Sequence, residues 1–99
     1  MTDGKTVSTT EAPYDQHQKL RASIDDMRLQ VQRLPHGDPA RRDLMAMSHI
    51  VESIWSKLDN EMIVCRRRRR ATANYLEMVG QIEERLAIMK REVFWRKLH

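Results

Sequence analysis

From Leu44 to Val93 the apolar side chains of this chain hold a single heptad phase. Leu44, Met47, Val51, Ile54, Leu58, Cys65, Tyr75, Val79, Ile82, Leu86, Met89 and Val93 alternate between the two seam positions a and d. A helix with that spacing carries an apolar stripe that must be buried against other helices, its own or a partner's. Strands are disfavoured on composition. Aromatic residues make up 5 % of the chain, and three glycines and three prolines supply little material for hairpins. The expectation is an all-α fold, a helical bundle or coiled coil.

The N-terminal part adds one hairpin. Residues 1–11 are polar, small and without period, and read as a disordered tail. His17, Leu20, Ile24, Met27, Val31 and Leu34 then recur at helical spacing, which predicts helix 1 over about 13–33. Leu34-Pro35 ends it, because the residue before a proline is pushed out of the helical region. Residues 34–38 make the turn. Asp38-Pro39 starts the next helix, with aspartate as N-cap and proline in the first turn. So short a connection makes the two helices antiparallel neighbours.

After Pro39 there is no proline, and the only later glycine is Gly80. Arginine and alanine across 66–73 are good helix formers, and the heptad phase survives them. One long helix over about 39–97 is therefore predicted, about 85–90 Å at 1.5 Å per residue. The alternative is a three-helix bundle with a break near 59–60 or 71–74. In the long-helix reading, helix 1 shelters only the first half of its partner. The stripe from Tyr75 to Val93 then needs a second molecule, most simply in a homodimer. Apolar residues at e and g (Ile50, Trp55, Met62, Val64, Leu76 and Met78) widen the seam toward a bundle of three or more helices.

The net charge of +4 is local. Residues 61–99 carry ten basic and five acidic side chains, and without Arg66, Arg67, Arg68, Arg69 and Arg70 the chain would stand at −1. The pI is thus no global footprint of a nucleic-acid binder. On a continuous helix the five arginines would sweep around the axis, with Arg68 at a d position and Glu61 as a counter-charge from a partner. A solvated, register-setting break in the seam is the bland reading of the run. A phosphate-binding patch for DNA or RNA is the functional one, and a nuclear-import signal or an acidic protein partner is a third. With no aromatic platform beside it, the run would hold backbone phosphates and not read bases.

Phe94, Trp95 and Leu98 open a second apolar face near the C-terminus, edged by Lys90, Arg91, Arg96 and Lys97. Such a tip can anchor a partner, or it can pack on a neighbouring helix of the same bundle. Interfacial membrane binding by this basic-aromatic end ranks last. The seven methionines read as core filling before they read as an adaptable groove. Cys65, the single cysteine, excludes an intramolecular disulfide and suits a reducing compartment; its seam position suggests a buried small side chain.

No catalytic chemistry stands out. His17, His36, His49 and His99 lack zinc-ligand spacing, Ser48 and His49 point to different helix faces, and no glycine-rich phosphate loop is present. No enzyme, cofactor or metal site is expected. No signal peptide or membrane span is apparent, so a cytoplasmic location is expected, or a nuclear one if the source is eukaryotic.

The sequence therefore predicts a non-enzymatic protein-interaction module, an oligomeric adaptor, regulator or chaperone-like protein. Its partner, another protein or itself, would meet the C-terminal heptad face through Trp55, Tyr75, Val79, Ile82, Leu86, Met89, Val93, Phe94 and Trp95. The alternative is a nucleic-acid-associated regulator that contacts phosphates through Arg66–Arg70 while the seam dimerises.

Overall fold

The structure is a computed structural model; it describes the backbone of residues 3–98 and the side chains of residues 15–98. Of the expected disordered tail over 1–11, residues 1 and 2 lie outside the described residues, and the backbone of 3–11 is continuous with the first helix, which begins ahead of the expected residue 13. Three helices follow one another: α1, Asp3–Gln32; α2, Pro39–Arg68; and α3, Ala73–Leu98. The all-α expectation holds, and no strand occurs among the described residues.

The first turn forms as its residues dictate. Pro35 to Asp38 close a β-turn in which the Asp38 amide donates to the Pro35 carbonyl at 3.0 Å. Asp38 then caps α2, its carboxylate accepting from the Ala40 amide at 2.9 Å, with Pro39 in the first helical turn. Arg21 of α1 reaches across to Glu52 of α2 through two hydrogen bonds at 3.0 and 2.8 Å. The same guanidinium also holds Asp25 and lies 5.2 Å from the centroid of the Trp55 ring. Helix 1 and helix 2 are thus a cross-linked antiparallel hairpin.

The long helix expected over 39–97 is not formed. Asp59 and Asn60 lie within α2, and the chain reverses at residues 69–72, next to the second of the two alternative breaks. The greatest principal extent is 51 Å, far short of the ~85–90 Å that a continuous helix would span.

This reversal is built without glycine or proline. Arg69 adopts the left-handed conformation, at φ 58 and ψ 36. The Arg69 amide donates to the Arg66 carbonyl at 3.3 Å and the Arg70 amide to the Cys65 carbonyl at 3.1 Å. That pair of bonds is a Schellman closure, which satisfies carbonyls at the end of α2. Thr72 opens α3, its hydroxyl oxygen accepting from the Tyr75 amide at 3.1 Å. The same hydroxyl donates to Glu61 at 2.7 Å, and Asn74 donates to the other oxygen of that carboxylate at 3.2 Å. Glu61 therefore fastens the start of α3 to α2; it is not the counter-charge of an arginine in a seam. Arg68 is exposed to solvent, not held at a seam layer.

The core lies between all three helices. It takes Leu20, Ile24, Met27, Val31 and Leu34 from α1, Leu44, Val51, Leu58, Met62 and Cys65 from α2, and Tyr75, Ile82, Met89 and Val93 from α3. The stripe that reads as one seam is divided between two faces. On α2 the a positions Leu44, Val51, Leu58 and Cys65 are buried, while the d positions Met47 and Ile54 are half-buried. On α3 the d positions Tyr75, Ile82 and Met89 are buried, while of the a positions Val79 and Leu86 are half-buried and only Val93, near the helix end, is buried. Folding back at 69–72 lets each helix turn a different line of its heptad toward the same centre.

Candidate functional site

The ridge from Tyr75 to Val93 is covered by the chain's own helices. Tyr75, Ile82, Met89 and Val93 are at most 2 % exposed within the single chain. No second molecule is needed to shelter them. Of the ridge only Val79 and Leu86 keep partial exposure, and the argument that made a homodimer necessary falls away. Trp55 is likewise engaged internally, stacked on His17 with ring centroids 4.2 Å apart.

The expected protein-binding residues that are exposed, not half-buried, are at the end of α3. Phe94, Trp95 and Leu98 are 58, 57 and 58 % exposed. Leu98 lies one turn beyond both aromatics, so the three occupy one side of the last turns. Ile88, two turns before Trp95, is exposed on the same side. The helix end itself is anchored. Arg96 pairs with Asp38 at 3.0 Å and with Glu92 at 3.3 Å, and Lys97 donates to Gln30 at 3.5 Å.

Beside this tip is a groove of about 640 Å³ between the α1–α2 turn and α3. Leu34, Pro35, Val93 and Trp95 give it apolar lining; Asp38 in its wall is paired with Arg96, which leaves Arg33 and Lys97 as its positive charge. Its size is within the range of small-ligand and peptide pockets. Sequence reasoning found the aromatic tip but not this groove, because its far wall comes from a turn some sixty residues away in the chain.

The arginine run occupies the opposite end of the bundle. Arg66, Arg67 and Arg68 form the last turn of α2, Arg69 its left-handed end and Arg70 the connection beyond. All five are exposed. Three cations in the last turn of a helix complement the partial negative charge of its carbonyl end.

A polar cluster invisible in the linear order of residues lies just inside the same end. His17 of α1, read above as one member of an apolar stripe, is 6 % exposed. Its Nε2 lies 2.9 Å from the Asp59 carboxylate of α2, and its Nδ1 lies 3.4 Å from the Tyr75 hydroxyl of α3. With Nε2–H donating to Asp59, Nδ1 is left to accept from the phenol, so one neutral tautomer satisfies both bonds. The connectivity is that of a hydroxyl–imidazole–carboxylate relay. The phenol is sealed, however: Tyr75 is 0 % exposed, and burial, with a lesser effect of the nearby Cys65, pushes its pKa up to about 12. What this cluster can do chemically is join three helices at one point.

Cys65 is buried beside Thr72, with sulfur and hydroxyl oxygen 3.8 Å apart. Among the described residues no group of three or more His, Cys, Asp or Glu side chains could hold a metal ion. No described helix is long and apolar enough to cross a membrane. No family model matches the chain, and neither a curated protein nor a solved structure matches it significantly.

Proposed function

We propose that this protein is a non-enzymatic binding module that receives a segment of another polypeptide at the last turns of α3. The observation that carries the reading is the joint exposure of Phe94, Trp95 and Leu98 beside the Leu34–Pro35 groove. An exposed tryptophan next to an apolar depression is a usual anchor of an interface, and the neighbouring phenylalanine and leucine enlarge the apolar patch around it. Each such side chain, once covered, contributes on the order of 1.5–3 kcal/mol. The rim selects the partner's charge. Arg33 and Lys97 line the groove, and Lys90 and Arg91 are exposed on the turns before it. A segment with apolar residues flanked by aspartate or glutamate complements that arrangement.

This reading keeps the expectation of a protein partner and moves its site from the heptad ridge to the helix tip. An adaptor or regulator of this kind needs no catalytic group. A reducing compartment such as the cytoplasm suits the buried, unpaired thiol of Cys65.

A displayed library of short peptides, selected against the full chain, tests it. Enriched sequences should pair apolar with acidic residues, and amide shift changes on titration should centre on residues 33–35 and 91–98. Trp95→Ala with Leu98→Asp should abolish capture while helicity is retained. Shift changes centred elsewhere, or capture indifferent to both substitutions, would refute the proposal.

A further inference from the structure

We propose that the α2–α3 turn is a phosphate-binding end through which the protein grips the backbone of a nucleic acid, without reading its bases. This site lies at the opposite end of the bundle from the α3 tip and does not depend on the reading given above.

The unpaired charge is the first observation. The arginines that join helices elsewhere are committed: Arg21 to Asp25 and Glu52, Arg28 to the same two carboxylates, and Arg96 to Asp38 and Glu92. Among the described residues none of Arg67, Arg68, Arg69 and Arg70 is in an ion pair, and all four are exposed. The nearest acidic side chain on α2, Glu61, is taken up by Thr72 and Asn74.

The second observation is the conformation of Arg69. The left-handed position ending a helix is ordinarily filled by glycine, and a side chain there costs about 1–2 kcal/mol. Adjacent like charges add repulsion. One cation would be enough to complement the helix end, since that effect fades within a turn. Folding alone therefore gives no reason for arginine at 67, 68, 69 and 70 together, and the backbone reversal holds all four, exposed, at one end of the bundle. Guanidinium forks match phosphate oxygens two at a time, which ammonium groups do not.

The third is the distribution of charge over the molecule. The net charge of +4 becomes −1 without this one run. Five exposed cations at one end of a body that otherwise stands at −1 turn that end toward a polyanion as it approaches. A membrane surface fits less well. The exposed aromatic residues that would enter a lipid interface, Phe94 and Trp95, are at the other end of α3, about 35–40 Å away by helix rise. Among the described residues no aromatic ring is exposed at the arginine end on which bases could stack, which favours recognition of the backbone.

The test is fluorescence anisotropy of the full chain with labelled DNA of about 20 nucleotides, single-stranded and duplex, at ~50 and ~200 mM salt. Four phosphate contacts predict that affinity falls by roughly a hundredfold across that salt interval. The comparison variant carries Arg67→Gln, Arg68→Gln, Arg69→Gly and Arg70→Gln; glycine suits the left-handed position, so circular dichroism should show the fold intact. It should bind at least tenfold more weakly at low salt and lose most of the salt dependence. Changing the sequence of the DNA should change affinity by less than threefold. Trp95→Ala with Leu98→Asp should bind DNA as the unaltered protein does, which separates this site from the α3 tip. The proposal is overturned if the unaltered protein fails to bind at low salt, or if the four-residue variant binds equally well. It is also overturned if poly-glutamate, or vesicles of phosphatidylserine and phosphatidylcholine, compete for the same arginines as effectively as DNA.

Discussion

Asp38 and Arg96 meet where the three helices close. The Asp38 carboxylate accepts from the Ala40 amide at 2.9 Å, capping α2, and pairs with the Arg96 guanidinium of α3 at 3.0 Å. Fifty-eight residues separate the two in the chain. One side chain thus starts the second helix and receives the end of the third. Bending the chain back at Arg69 is what brings Arg96 to it.

That double role predicts unequal costs. Asp38→Ala removes the cap and the ion pair together and should destabilise by about 1–2 kcal/mol. Asp38→Asn keeps a capping oxygen and loses the charge, and should cost ~0.5–1 kcal/mol. Urea unfolding of both variants measures the difference. Equal losses would mean that the cap contributes nothing here.

Arg69→Gly should stabilise the protein. Glycine occupies the left-handed region without the clash of a β-carbon, and about 1 kcal/mol should be gained, less its greater freedom when unfolded. For a domain of this size that is a rise of roughly 4–8 °C in Tm. Were α2 and α3 one continuous helix, the same substitution would lower stability by a similar amount.

The acid side of the stability profile should follow Glu52. Its hydrogen bonds from Arg21, and then the charges of Arg21 and Arg28, hold its pKa below the ordinary 4.5. A depressed carboxylate contributes stability above its unfolded pKa and loses it as pH falls through the folded value. The pair is about one-third exposed, so its contribution is discounted to about 0.5–1 kcal/mol. Glu52→Gln should be less stable than the unaltered protein at neutral pH, with the gap closing below pH 4.5. Denaturant midpoints across that range give the answer.

Tyr75 should govern the alkaline side in the opposite sense. Burial raises its pKa from 10.0 to about 12, so the unfolded chain releases the phenol proton first. Stability is therefore full below the unfolded value and falls as pH rises through this interval. Tyr75→Phe should cost ~0.5–1.5 kcal/mol at neutral pH through the lost bond to His17. It should also flatten the alkaline decline, which a pH series of thermal melts would show.

Much of the fold is legible in the residues. Leu34-Pro35 and Asp38-Pro39 state the first turn outright, and apart from Ser48 the buried positions of α2 and α3 fall on apolar residues of the heptad or beside it. The second turn is hidden because its left-handed position holds arginine, a good helix former, where glycine would have announced a stop. Thr72, three residues before Tyr75, was the available signal: a capping hydroxyl ahead of an apolar helix. The unbroken phase then misleads, because α2 buries its a line and α3 its d line. His17 was legible only as an apolar-face residue, since its partners Asp59 and Tyr75 belong to the other two helices. The aromatic tip of α3 was readable from Phe94, Trp95 and Leu98; the groove beside it needed the folded-back chain.

The folded-back chain is most directly tested by one distance. Spin labels at the exposed positions Arg42 and Lys97, in a Cys65→Ala background diluted with unlabelled protein, report the separation of the two ends. With Asp38 and Arg96 in contact at 3.0 Å, the labels should lie within about 25 Å of each other, given helix–helix spacings of 8–10 Å. A separation near 80 Å, the rise of one continuous helix between those residues, would contradict the three-helix bundle and everything built on it.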